Sequence, residues 1–212
     1  MLWCSKCHKW SRKNIKIIDY TCPFVLKIHD EVIKYSNKNY FIFLLGIKNH
    51  PETIGTISFC GENSCIIENI DDIENAIAKF NKSNLSNLLV ISQTTFSTSL
   101  FNTISTILKE RLASDFNIEI KNTICNTTAN RQKETEEISK KVDLMIIIGG
   151  KNSSNTKKLY EIAKINCPKV MLIQTKDSLK QYDFQGVKKI GIMAGASTPQ
   201  SIIEDVVAFC KK

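Results

Sequence analysis

Residues 143–150 read DLMIIIGG, five successive large apolar side chains closed by two glycines. So apolar a run, ending at a turn signal, is a strand buried on both faces, and that requires a parallel sheet with cover on either side. The rest of the chain follows suit. Short β-rich runs at 14–20, 39–47, 87–92, 116–124, 169–175 and 188–195 alternate with segments of helical period. The helical segments lie at about 23–36, 71–80, 98–113, 128–141, 154–165 and 199–209. In the first of them Phe24, Ile28 and Val32 share one face. The expected class is α/β, a largely parallel sheet with helices on both faces.

The 212 residues, 42% of them hydrophobic, suffice to fill such cores. No apolar run reaches the roughly 18 residues of a membrane span, and an export signal is absent from the start, so a cytoplasmic protein is expected. Its eight cysteines are then reduced thiols, and the question is which are ligands. The net charge of +8 is scattered as single lysines rather than gathered into a stripe. That favours a phosphate-bearing small ligand over nucleic acid.

In parallel α/β sheets ligands collect where strands end and helices begin, because helix N-termini present unpaired N–H groups there. Cys22 follows the first expected strand and precedes Pro23, which suits a first helical position. A thiol at a helix N-terminus is favoured as thiolate, the form a metal requires, although a buried small residue is the plainer reading. Cys125 ends another strand in the same manner, with Asn126, Thr127 and Thr128 available as caps. The turn GGKNSSN (149–155) places Ser153, Ser154 and Asn155 at a helix start, and AGASTP (194–199) places Ser197 and Thr198 at another. Each is an anion cradle or a set of caps. KNHPETIG (48–55) carries His50 and Glu52, which can move protons, within what otherwise reads as a solvated loop. Thr94 and Thr95 add hydroxyls after the strand at 87–92.

The first residues hold Cys4, Cys7 and His8 in C-x-x-C-H spacing. That pattern serves haem attachment or zinc binding, but nothing around it resembles a strand-to-helix turn, and haem would require export. Cys60, Cys65, Cys167 and Cys210 read as core or surface residues.

Taken together, TCPFV, NHPE, SQTT, IC-x-x-T-x-NRQ, KNSSN and AGAS-x-P, in this order from Asn14 to the C-terminus, resemble the 4-hydroxy-3-methylbut-2-enyl diphosphate reductases. That resemblance implies a trefoil of three α/β units around a 4Fe–4S cluster held by one cysteine from each unit, of which this chain would supply two similar three-layer units of mostly parallel sheet, at about 14–120 and 121–212. It implies that Cys22 and Cys125 are two of the three ligands, that Glu52 donates a proton and that His50 and Thr94 surround the substrate. Ser153, Ser154, Asn155 and Ser197 would bind its diphosphate. Electrons would come from ferredoxin or flavodoxin, with neither nucleic acid nor membrane as partner. The third cysteine and two histidines belong to a unit expected before residue 14, where residues 1–13 do not resemble it. A shortened chain that keeps the fold and binds a diphosphate without a stable cluster is the alternative the sequence leaves open.

Overall fold

The computed structural model describes residues 21–211. They form two compact units, one ending at Ile124 and the next beginning at Cys125. The run at 14–20 and the C-x-x-C-H segment lie outside the described residues. No helix among those described is long and apolar enough to cross a membrane.

The first unit is built on four parallel strands: β1 (Phe41–Leu45), β2 (Ser64–Ile67), β3 (Asn87–Ser92) and β4 (Asn117–Lys121), in the order β2-β1-β3-β4. Side chains alternate across a strand, and β1 is apolar at every position, so both faces need cover. One face of the sheet, with Ile42, Leu44, Leu89 and Ile91, packs against Ile28, Val32 and Tyr35 of helix α1 (Pro23–Ser36). On the other, Phe41 and Phe43 meet Phe80 of α3 (Ile73–Lys82) edge-on, with ring centroids 5.5 and 6.1 Å apart. Each such buried side chain contributes about 1.5–3 kcal/mol. Phe24, expected to share the core face of α1, is instead 49% exposed. It sits in the first turn and is not part of the core cluster that Ile28 and Val32 join.

Between β1 and β2 lies the short helix α2 (Pro51–Ile57), where the sequence suggested only a loop. Seven residues are too few for a visible periodicity, but two local devices start the helix. Pro51 occupies the first turn, and the His50 ring caps it by accepting the Glu52 N–H at Nδ1, 3.2 Å away. Helix α4 (Thr98–Leu112) follows β3, capped by the Ser97 hydroxyl.

The second unit has three parallel strands, β5 (Leu144–Ile148), β6 (Val170–Ile173) and β7 (Ile190–Ala194), with β5 in the centre. Helix α5 (Asn126–Ser139) precedes β5, α6 (Ser154–Asn166) follows it, and α7 (Gln200–Cys210) closes the chain. Leu144, Ile146 and Ile148 pack toward Leu179 and Val206, while Met145 and Ile147 pack toward Leu159 and Ala163. The all-apolar run of β5 thus has the two-sided burial its composition demanded. Helix α5 begins at Asn126, two residues earlier than its apolar spacing suggested, so Asn126 to Thr128 lie inside it rather than capping it.

Candidate functional site

Register decides which loops become neighbours. Leu45, the last residue of β1, pairs with Ser92, the last of β3. The chain therefore leaves the sheet at adjacent points, and Glu52 comes to face Thr94 although they are 42 residues apart in sequence. The Thr94 backbone N–H donates to Glu52 Oε1 at 2.6 Å and its hydroxyl donates to Oε2 at 2.8 Å. Two donors on two oxygens leave the carboxylate little rotational freedom. His50, whose Nδ1 accepts from Glu52 N–H, must carry its proton on Nε2 when neutral, and that nitrogen is the donor left for another group.

Two residues given no role at the sequence level support this corner. Gln93 is 1% exposed, with its side chain inside the turn that bears Thr94. The Thr123 hydroxyl accepts from Ser92 N–H at 2.9 Å and donates to Ser92 O at 2.5 Å, tying the end of β3 to the segment that leads toward Cys125. A polar side chain directly after an apolar strand was the only available signal for either.

The second unit repeats the logic. Ile148 pairs with Ala194, so the loops 149–153 and 195–199 start side by side. The Ser153 hydroxyl caps α6 by accepting from Thr156 N–H at 3.3 Å. Thr156 fills the space between the two loops. A Cβ on Gly149 would come within 2.5 Å of its hydroxyl oxygen, and one on Gly195 would be in hard contact with the same atom. Thr198 Oγ1 donates to Ile148 O at 3.1 Å, and Ser197 stays exposed at the rim. Asn155 is 5% exposed, yet neither its amide nitrogen nor its amide oxygen has a protein partner. A buried unpaired amide costs about 1–3 kcal/mol, and no partner among the described residues offsets that cost for Asn155. The serines and the amide lie at one helix start, where unpaired N–H groups favour a negative charge.

Cys22 and Cys125 occupy equivalent positions in their units. Each is the N-cap of a helix, with φ/ψ of −54°/133° and −60°/132°, and neither side chain is used in capping. Cys22 is exposed and Cys125 half-buried, and both are free thiols. This is the chemistry and access that a soft metal centre needs. The other described cysteines differ. Burial pushes the Cys60 and Cys65 thiols up to about 12, and Cys60 donates to Thr56 O at 3.4 Å. Cys167 is turned toward the backbone oxygens of Lys169 and Val142. Cys210 is half-buried, and burial raises its thiol too. Among the described residues no group of three His, Cys, Asp or Glu side chains is placed to hold a metal ion. Cys22 and Cys125 are thus free thiols at helix N-caps, the donor type an iron–sulfur cluster takes.

The fold is a parallel α/β one, with a clamped carboxylate after the strands of one unit and a serine-rich helix start bearing an unpartnered buried amide in the other. The LytB protein family model matches residues 5–211, and the chain belongs to that family. It is 39% identical over 198 residues to the 4-hydroxy-3-methylbut-2-enyl diphosphate reductase of Aquifex aeolicus, covering 92% of this chain and 65% of that protein. With the enzyme of the same name from Clostridioides difficile it is 42% identical, covering 93% and 68%. The chain thus spans about two-thirds of the length of these relatives. Among solved structures, the E-1-hydroxy-2-methyl-but-2-enyl-4-diphosphate reductase from Plasmodium falciparum superposes with a TM-score of 0.84 at 31% identity. That match covers 98% of this chain and 64% of the other. A structure of (E)-4-hydroxy-3-methyl-but-2-enyl diphosphate reductase gives 0.60 at 37% identity, covering 97% and 71%.

Proposed function

We propose that this chain carries the chemistry its relatives are named for: reductive removal of the allylic hydroxyl of 4-hydroxy-3-methylbut-2-enyl diphosphate, giving isopentenyl and dimethylallyl diphosphates. The overall reaction takes up two electrons and two protons, breaks one C–O bond and releases water. Cys22 and Cys125 would be two of the protein ligands of a 4Fe–4S cluster, the third lying outside the residues described. When bound, such a cluster supplies electrons one at a time and a Lewis-acidic iron. Ferredoxin or flavodoxin is the proposed electron donor.

The remaining work falls to residues of this chain. Ser153, Ser154, Asn155 and Ser197 would hold the diphosphate, with the Asn155 amide gaining the partners it lacks. Glu52, in its protonated form, can pass a proton to the Thr94 hydroxyl, whose own proton moves on to the departing oxygen, so the threonine acts as both clamp and relay. The Nε2–H of His50 would orient the substrate's hydroxyl. The single observation that most supports the reading is the double contact from Thr94 to Glu52, which holds a proton-carrying group beside a hydroxyl in one fixed geometry.

A second reading, a diphosphate-binding chain without a stable cluster, is favoured by the count of suitable thiols, two among the described residues. Product analysis after anaerobic incubation with substrate and a reduced carrier tests the first reading. The full chain should yield both diphosphates, and Glu52→Gln should lower turnover by about 10²–10⁴-fold. Diphosphate binding without any product would establish the second reading instead.

A further inference from the structure

We propose that Gln93 is a positioning residue for the Glu52–Thr94 pair, a buried brace that locks the loop after β1 to the loop after β3. The residue next to Thr94 in sequence reaches across to the residue next to Glu52. Gln93 Oε1 accepts from the Thr53 hydroxyl at 3.3 Å and from the Ile47 backbone N–H at 3.1 Å. Its Nε2 donates to the Thr95 hydroxyl at 2.9 Å. Its own backbone N–H donates to Leu45 O at 2.8 Å, extending the β1–β3 pairing by one residue beyond the strands. Each neighbour of the catalytic pair is therefore held through one amide: Thr53 beside Glu52 on α2, and Thr95 beside Thr94.

The surroundings agree with a brace rather than a filler. Gln93 is 1% exposed and Thr53 fully buried, so both amide ends are satisfied away from water, where such bonds are strongest. The brace also fixes the identity of its neighbour. A Cβ on Gly46 would stand 2.8 Å from Thr53 Oγ1 and 3.3 Å from Gln93 Oε1, leaving no room for any side chain. Helix α2 has only seven residues and few apolar anchors, so hydrogen bonds at its N-terminal end decide where Glu52 stands.

The catalytic consequence rests on the proposed reductase reading, and the test therefore has an arm independent of it. In the isotopically labelled full chain without cluster, the Thr94 amide proton resonance should lie far downfield because of its short bond to a carboxylate. In Gln93→Leu that displacement should be lost, with the rest of the spectrum retained. Thr53→Val, nearly the same shape but without the hydroxyl that donates to Gln93, should shift the same resonance by less in the same direction, and it carries the test if Gln93→Leu does not fold. A Thr94 resonance that keeps its wild-type position in a folded variant overturns the proposal, whatever the activity. In the loaded enzyme kcat should fall on the order of 100-fold with KM unchanged. Adding Gln93→Leu to Glu52→Gln should cost nothing further, because the brace acts through the Glu52–Thr94 pair that Glu52→Gln has already disabled. An additive loss overturns the proposal even if the reductase reading stands.

Discussion

Thr94 addresses both oxygens of the Glu52 carboxylate, one through its backbone and one through its hydroxyl, across two loops that the β1–β3 register sets side by side. The hydroxyl half of that contact can be removed alone. Thr94→Val should destabilise the chain by about 1 kcal/mol, the net worth of one hydrogen bond to a half-exposed carboxylate, and Thr94→Ser should restore it. Denaturant unfolding of the three proteins measures this directly, and equal midpoints for Val and Ser would show that the hydroxyl contact contributes nothing.

Asn155 should show opposite effects on stability and binding. Its amide is buried without a protein partner, so Asn155→Leu should raise the melting temperature of the unliganded chain, the gain reflecting a desolvation cost of about 1–3 kcal/mol. The same variant should lose most of the stabilisation that inorganic pyrophosphate gives the wild type. Thermal melts with and without pyrophosphate check both halves. A variant that is less stable alone, yet still responds to pyrophosphate, would place the anion elsewhere.

The cysteines should separate by reactivity. Cys22 is an exposed N-cap thiol, whereas burial pushes Cys60 and Cys65 up to about 12. At mildly alkaline pH a thiol reagent should modify Cys22 rapidly and leave Cys60 and Cys65 untouched until denaturant is added. Peptide mapping of the labelled chain reads the order.

Acid should loosen the first unit through Glu119. The Tyr35 hydroxyl bonded to it, outweighing the opposing effect of burial and joined by Tyr40 at 2.8 Å, holds this carboxyl below its ordinary range. A depressed carboxyl stabilises the fold above its unfolded-state value, and that contribution disappears as pH falls through the lowered folded-state value. Glu119→Gln should therefore flatten the acid limb of stability against pH and also alter the alkaline limb, because Glu119 is what raises the Tyr40 hydroxyl, while the slope near neutral pH stays unchanged. Chemical denaturation at a series of pH values gives the comparison.

The fold was legible wherever apolar runs were long. The two-sided burial of β5 and the helices from Pro23 and Ser154 follow from local composition alone. Helix α2 was not legible, because its start depends on the His50 ring accepting a backbone N–H, and no helical period develops in seven residues. Phe24 misled for a related reason: helical spacing fixes a face but not how far along the helix that face is covered, and the cluster that takes in Ile28 and Val32 does not include Phe24. At the site, Glu52, Thr94 and Asn155 were visible as polar residues at strand ends. Their relationships were not, since the pairing of Leu45 with Ser92 and of Ile148 with Ala194 is a property of register. Gln93 stayed hidden because a glutamine buried as a brace looks, in sequence, like any polar residue after a strand.

Anaerobic reconstitution of the full chain with iron and sulfide, in wild type, Cys22→Ala and Cys125→Ala, decides whether these two thiols hold a cluster. The wild type should show the broad visible absorbance of an iron–sulfur cluster, and either variant should lose it together with the bound iron. Absorbance and iron content unchanged in both variants, or a folded wild type that takes up no iron at all, would show that they do not.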